Sequence, residues 1–358
     1  MAIERGGKTA VRLWYREFAA GTLKPSSKAN YHNCIQKHLI PRFGHLPLNG
    51  LTTVFAQTNF TDMVTGNIIE EREPLAASTV VKCRNIINAA MRQAMEMGMI
   101  QANPIERTKP PRIENTSIEM FSAEEQDKFV NALVGNRLEA FFLTALGTGF
   151  RRGELLGLEW DCIDFNNKLI TVKSTVNRIQ DIKNGGTNII ISSPKSVASR
   201  RTIPLVDTLI PVLKQHKKVQ DTEKVFAGSA WMDNNIVFST SIGTYLEPRN
   251  INREMKKICA KANINPISVH GLRHSFASRL IEQGVHIKFV AEYLGHNDGG
   301  SLALQTYGHI DVVKSHDEIN KINTLVIPKE DTTPSFHRSR QAAIKHKRKQ
   351  KVEKDKTL

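Results

Sequence analysis

Gly147-Thr-Gly-Phe-Arg-Arg-Gly-Glu154 is the stretch on which the reading of this chain turns. Ahead of it, Leu138 to Leu146 is nearly all apolar and reads as a buried helix. It ends where the glycines offer a left-handed conformation without strain. A second helix opens at once, with Arg151 and Glu154 near its N-terminus. Upstream, Ser122 followed by Glu125 forms a capping box ahead of Phe129, Ala132 and Leu133, so a new folded unit starts there.

Beyond Trp160 the period changes from helical to extended. Leu169-Ile-Thr-Val172, Thr187-Asn-Ile-Ile-Ile191 and Arg201-Thr-Ile-Pro-Leu205 read as three strands, with Lys195 at the second turn. Helical patterns resume at Leu209 to Val219, Asn252 to Ala262, Leu272 to Glu282 and Ile287 to Leu294. The fold class is therefore α+β, mainly helical, with a small antiparallel sheet.

The first hundred or so residues read as helices. Val11, Trp14, Tyr15 and Phe18 recur at helical spacing, and a second helix opens after Pro25 with Ser26 or Ser27 as cap and Pro41 as its stop. A third covers roughly Phe55 to Ile69, and Ser78 to Met97 is a long helix with Val81, Ile86, Ala90 and Ala94 inward. Lys24, Lys28, Lys37, Lys82, Arg84 and Arg92 decorate these helices as candidate DNA contacts. The segments divide into a helical DNA-binding unit over 1–107, a proline-rich linker over 108–119, a second domain over 120–330 and a basic, disordered tail over 331–358.

The 358 residues carry a formal charge of +15, the footprint of a protein whose partner is a polyanion. Nearly half of that excess lies between Arg338 and Lys356, where nine Lys or Arg face two acids. No run approaches the roughly 20 apolar residues of a spanning helix, and no membrane partner is expected. The cysteines Cys34, Cys83, Cys162 and Cys259 are scattered, without a Cys-x-x-Cys pair. They read as buried thiols of a reducing cytoplasm.

Downstream of the opening stretch come His270-Gly-Leu-Arg273, Leu294-Gly295-His296 and Thr306-Tyr307. Guanidinium groups such as those of Arg151 and Arg273 hold phosphate oxygens in a bidentate fork, and a phenol such as that of Tyr307 supplies a nucleophile. Taken singly, each has a plain structural reading; the ordered set does not. His270 and His274 stand four apart as zinc ligands do, but Gly271 occupies the place of the metalloprotease glutamate and no third ligand is evident, so no metal is expected. A phosphate-binding Gly-Lys-Ser/Thr loop is absent too, so no cofactor is expected.

With these motifs in this order, the chain resembles the tyrosine recombinases of the integrase family over nearly its whole length. The resemblance implies a core-binding SAM-like helical domain and a catalytic domain clamped around double-stranded DNA recombination sites, acting as a homotetramer. An excision or architectural accessory protein joins the implied partners, with a bacterial, nucleoid-associated location. It also implies Arg151 and Arg273 as catalytic arginines, Lys195 as the hairpin lysine, His270 and His296 as the histidine positions, Tyr307 as nucleophile and Glu154 as the acid bracing Arg151. Integration or excision of a mobile element or phage is the leading expectation. A Xer-like resolvase of chromosome or plasmid multimers, a type IB topoisomerase and a catalytically inactive DNA-binding protein of the same fold stand as alternatives.

Overall fold

A computed structural model describes residues 11–66, 73–114, 119–182, 184–192 and 200–295. Among the described residues there are two hydrophobic cores. The first draws on residues between Val11 and Ile105, the second on residues between Phe121 and Leu272.

In the first, helix α1 (Pro25–Cys34) runs through a wider π turn, Ile35–Leu39, into α2 (Ile40–Phe43). Two expectations change here. Pro25 itself is the first helical residue, where its missing N–H costs nothing, and Lys24 rather than a serine occupies the cap position. Pro41 does not stop the helix. The Ile40 N–H bonds the Ile35 carbonyl five residues back, and this wider turn carries the chain past the proline to Gly44. Helix α3 (Thr53–Thr65) is capped by the Thr52 side chain, which accepts from the Phe55 N–H.

Helix α4 (Ala77–Glu96) buries Val80, Cys83, Ile86, Ile87, Ala90, Met91 and Ala94. Val80 takes the inward place expected of Val81, which is only half-buried. Arg84, expected to face DNA, spends its guanidinium inside the fold. Its Nε donates to Thr108 Oγ1 at 2.8 Å and its Nη2 to the Ile105 and Thr108 carbonyls at 3.1 and 2.8 Å, fastening the segment after the helix. Lys24, Lys37, Lys82 and Arg92 are exposed and Lys28 is half-buried. Arg92 lies 4.0 Å from Glu106.

In the second core, α5 (Ala123–Leu133) begins with the expected reciprocal box. Ser122 Oγ accepts from the Glu125 N–H at 3.2 Å, and Glu125 Oε2 accepts from the Ser122 N–H at 2.8 Å. Helix α6 (Glu139–Thr148) ends at Gly149, whose φ of +61° is left-handed. A side chain there would be strained by the backbone and would meet Phe276 and Leu294 at 2.6 Å. Helix α7 (Arg152–Leu156) follows directly.

The strands form two antiparallel sheets. β1 (Ile163–Asp164), β2 (Leu169–Thr171) and β5 (Thr202–Pro204) make one with β2 central, and β3 (Thr175–Gln180) pairs with β4 (Thr187–Ser192) in the other. The sequence reading missed β3. Its Thr-Val-Asn-Arg-Ile-Gln is too polar to stand out, and it becomes a strand through full pairing with β4, from Thr175 opposite Ser192 to Gln180 opposite Thr187.

Four more helices follow: α8 (Leu209–Ala227), α9 (Pro248–Ala262), α10 (Val269–Glu282) and α11 (Ile287–Leu294). Among the described residues, those up to Ala277 fall with 293–295 in one compact unit, and Ser278–Glu292 belong to a second. Within that second unit Arg279 and Glu282 pair one turn apart on α10. Among the described residues no helix is long and apolar enough to cross a membrane.

Candidate active site

The site begins with the end of one helix and the start of the next. Gly149 closes α6 and Arg151 precedes α7, so Phe150 turns inward while the Arg151 side chain stays 38 % exposed. Glu154, one turn on and 4 % exposed, reaches back twice. Oε2 accepts the Arg151 backbone N–H at 2.9 Å and Oε1 accepts Arg151 Nη1 at 2.9 Å. The expected brace between these two residues is therefore present as geometry.

Helix α10 supplies the next pair. Arg273 is 3 % exposed, with Nη1 on the Gly149 carbonyl at 2.7 Å and Nη2 on the Leu294 carbonyl at 2.8 Å. One turn earlier His270 lies at the surface, its ring against His274 at 4.6 Å between centroids. Its pKa is lowered, first by the desolvation of the ring and then by the charges of Arg273 and Arg151. His270 is thus a neutral imidazole at neutral pH and able to accept a proton.

The glycine of His270-Gly-Leu-Arg273 has a packing reason. A Cβ on Gly271 would stand 2.8 Å from the Glu119 carbonyl oxygen and 3.0 Å from Ile267. The neighbouring Ser275 accepts the Phe121 N–H at 2.9 Å, so α10 is held against the entry to the second core. Gly271→Ala should lower stability by about 1–3 kcal/mol through this overpacking. The denaturant midpoint measures it, and an unchanged midpoint would mean that the 119–121 segment yields freely.

A third arginine, which the sequence offered only as the first residue of a strand, completes the cluster. Arg201 directly precedes β5 and its side chain is 7 % exposed. Nη1 and Nη2 lie 3.3 and 3.1 Å from the two oxygens of Glu154, Nε donates to the Tyr293 carbonyl at 2.8 Å, and the guanidinium sits 5.1 Å from the Phe150 ring centre. Burial by itself would raise the Glu154 carboxyl, but Arg201 first and Arg151 second hold it below the usual range. Arg201, not Arg151, is the principal counter-ion.

Arginines also close the end of α11. Its last carbonyls lack helical partners, and those of Tyr293, Leu294 and Gly295 accept from Arg201, Arg273 and Arg151, the last at 3.4 Å. Three cations thus meet the negative pole of one helix. Tyr293 itself is no candidate nucleophile: burial pushes its phenol up to about 12, against the pull of Arg201, and the hydroxyl donates to the Pro204 carbonyl. A separate cleft of ≈ 470 Å³ is lined by Arg152, Asn177, Arg178, Glu247 and Arg249 among others, and also went unread. Lys195, His296 and Tyr307 lie outside the described residues.

The sequence pattern of the Phage integrase family matches residues 119–313, and that of the phage integrase N-terminal SAM-like domain matches residues 8–62. A tyrosine recombinase XerC-like protein of Caldanaerobacter subterraneus subsp. tengcongensis is 35 % identical over 265 residues, 70 % of this chain and 67 % of that one. The ICEBs1 integrase of Bacillus subtilis is 25 % identical, over 65 % of this chain and 62 % of its own. Among solved structures, the Tn1549 transposon integrase in complex with transposon right end DNA has the same fold, with a TM-score of 0.73, 18 % identity and coverage of 89 % of this chain and 99 % of that one. A lambda integrase dimer bound to a core site follows at a TM-score of 0.59 and 19 % identity, over 85 % of this chain and 77 % of that one. Since the family pattern runs through more than half of the sequence and a XerC-like tyrosine recombinase is 35 % identical over 70 % of it, the chain belongs to the phage integrase family and is a tyrosine-type site-specific recombinase.

Proposed function

We infer that this recombinase cleaves DNA through a covalent 3′-phosphotyrosyl link and uses it to integrate and excise a mobile element or phage. The observation that carries the reading is the convergence of Arg151 and Arg273 on the turn at Leu294 and Gly295, directly ahead of His296 and, further on, Tyr307.

In this reading Arg151 and Arg273 hold the nonbridging oxygens of the scissile phosphate. A guanidinium presents its N–H donors in a planar fork that matches two oxygens of one phosphate. The Tyr307 Oη bonds phosphorus while the bond from phosphorus to the 5′-oxygen breaks. The phenolic proton passes to His270, whose depressed pKa keeps it neutral and receptive. Lys195 gives a proton to the departing 5′-oxygen, and His296 hydrogen-bonds the phosphate. Attack by the 5′-hydroxyl of a second strand reverses every transfer and restores the enzyme. The bond energy is conserved in the phosphotyrosine, so the exchange needs neither nucleotide nor added metal.

Four protomers on two duplexes follow from this chemistry, and a related lambda integrase has been solved as a tetramer bound to a Holliday junction, at a TM-score of 0.56 and 19 % identity. The exposed residues Lys24, Lys37, Lys82 and Arg92, half-buried Lys28 and the cleft between Arg152, Arg178 and Arg249 supply backbone-phosphate contacts. An excision or architectural accessory protein completes the complex at the nucleoid. In this reading residues 1–107 bind DNA, 108–119 link and 120–330 catalyse, a division that the separate cores at Val11–Ile105 and Phe121–Leu272 support.

The test is a nicked suicide substrate carrying the target site. A covalent protein–DNA adduct is expected, and its absence with a site that the protein binds would overturn the reading. A Xer-like role in resolving multimers is the second reading, favoured by the 35 % identity to a XerC-like protein. Target sites mapped to the ends of an element support integration; sites near a replication terminus support resolution.

The tail gives a further expectation. With nine basic residues against two acids between Arg338 and Lys356, truncation after Pro334 should weaken DNA binding and flatten its salt dependence, because each lost phosphate contact removes about 0.9 from the slope of log K against log salt. An unchanged slope would leave the tail without a part in binding.

A further inference from the structure

We propose that Arg201 is a positioning residue of the cleavage step: by neutralising Glu154 it keeps the Arg151 guanidinium available to phosphate. The proposal rests on the assignment of Arg151 above.

Glu154 is almost wholly buried and its carboxylate has four close donors. Two belong to Arg151, the backbone N–H and Nη1, and two to the fork of Arg201. A buried carboxylate must be paired, and a bidentate arginine fork is the strong way to pair it. With Arg201 supplying that fork, Glu154 takes a single side-chain bond from Arg151. The Arg151 side chain stays 38 % exposed, whereas that of Arg201 is 7 % exposed. The two arginines have divided the work, one satisfying the acid and one facing outward.

Removing the Arg201 charge would leave Glu154 with Arg151 as its remaining counter-ion of the pair. The Arg151 fork would then close on both carboxylate oxygens, turning its donors away from phosphate. Electrostatics adds a second loss, since an Arg151 charge spent on Glu154 no longer offsets the negative charge that develops at phosphorus. Arg201 also ties the Tyr293 carbonyl, so the same side chain joins the acid to the turn that leads into His296. In sequence it follows the segment that bears Lys195.

The experiment measures adduct formation on the suicide substrate for the native chain, Arg201→Met, Arg201→Lys, Glu154→Gln and the Glu154→Gln/Arg201→Met double variant, with a thermal melt for each. Misaligning a positioned catalytic group costs about 100-fold in rate, and Arg201→Met should slow the adduct by about that factor while DNA binding stays within threefold, about 0.6 kcal/mol. The double variant should react faster than Arg201→Met alone, because the unpaired acid is gone. A purely structural role predicts the reverse, a double variant no faster than the single one. Should Arg201→Met fail to fold, Arg201→Lys stands in: its retained charge should keep it faster than the native chain is without Arg151, in an Arg151→Ala control. An Arg201→Met protein that cleaves at the native rate overturns the proposal, as does a folded double variant without gain, or an Arg201→Lys protein as slow as the control. An inert native chain would instead overturn the function proposed above.

Discussion

Tyr307→Phe should give no covalent adduct on the suicide substrate and no recombinant product, while binding the same DNA as tightly as the native chain. The substitution deletes one oxygen and keeps the ring. Without that oxygen no bond from this residue to phosphorus can form. Tyr293 lies closest in sequence, but burial holds its phenol up at about 12 and its hydroxyl is engaged by the Pro204 carbonyl. A phenol so placed keeps its proton at neutral pH. Residual cleavage by water is the outcome to watch for, since the arginines remain in place. A hydrolysed strand without protein attached would still agree with Tyr307 as the nucleophile, whereas an adduct of native yield would show that another residue attacks. Denaturing electrophoresis of labelled substrate separates the three outcomes.

What could be read in advance depended on the range of the interaction. The Ser122 box and the Gly149 helix end obey rules spanning a few residues, and both appear where the sequence places them. The Arg151–Glu154 pair, three residues apart, is local in the same way. Arg201 was read only as the first residue of a strand, because its meaning lies in partners 47 and 92 residues away. No periodicity reports a contact of that kind. Arg84 shows the converse: a basic residue on a helix resembles a DNA contact until the segment at Ile105–Thr108 is seen to fold over it. Strand β3 fails for a related reason, since a polar hexapeptide acquires its conformation from the partner strand. Pro41 failed through a general rule applied to a special turn. Proline ends an ordinary helix because it cannot donate to the residue four back, but here the chain has already widened to a five-residue step.

Arg273→Ala should have the largest effect on the protein as a whole, lowering both stability and cleavage. The guanidinium is 3 % exposed and bonds the carbonyls of Gly149 and Leu294 at 2.7 and 2.8 Å. Bonds to charged groups contribute about 1.5–3 kcal/mol each, and a carbonyl left buried without a donor costs about 1–3 kcal/mol. Loss of both bonds should therefore lower unfolding stability by about 3 kcal/mol or more, seen as a reduced urea midpoint. Arg273→Lys separates charge from shape. A lysine carries one nitrogen where arginine carries a fork, so it can serve one of the two carbonyls and should recover part of the stability. It should not recover the chemistry, because a point charge engaged by one carbonyl cannot hold two phosphate oxygens as well. Adduct formation should remain lower by about 100-fold or more, the range for removing a preorganised donor at a developing negative charge. A lysine variant that regained native cleavage would reduce Arg273 to a source of charge. An alanine variant of native stability would show that the two carbonyls find water when the arginine is gone. The link between the effects is the connection itself: Gly149 ends the helix ahead of Arg151, Leu294 ends the helix ahead of His296, and one buried side chain fastens both ends.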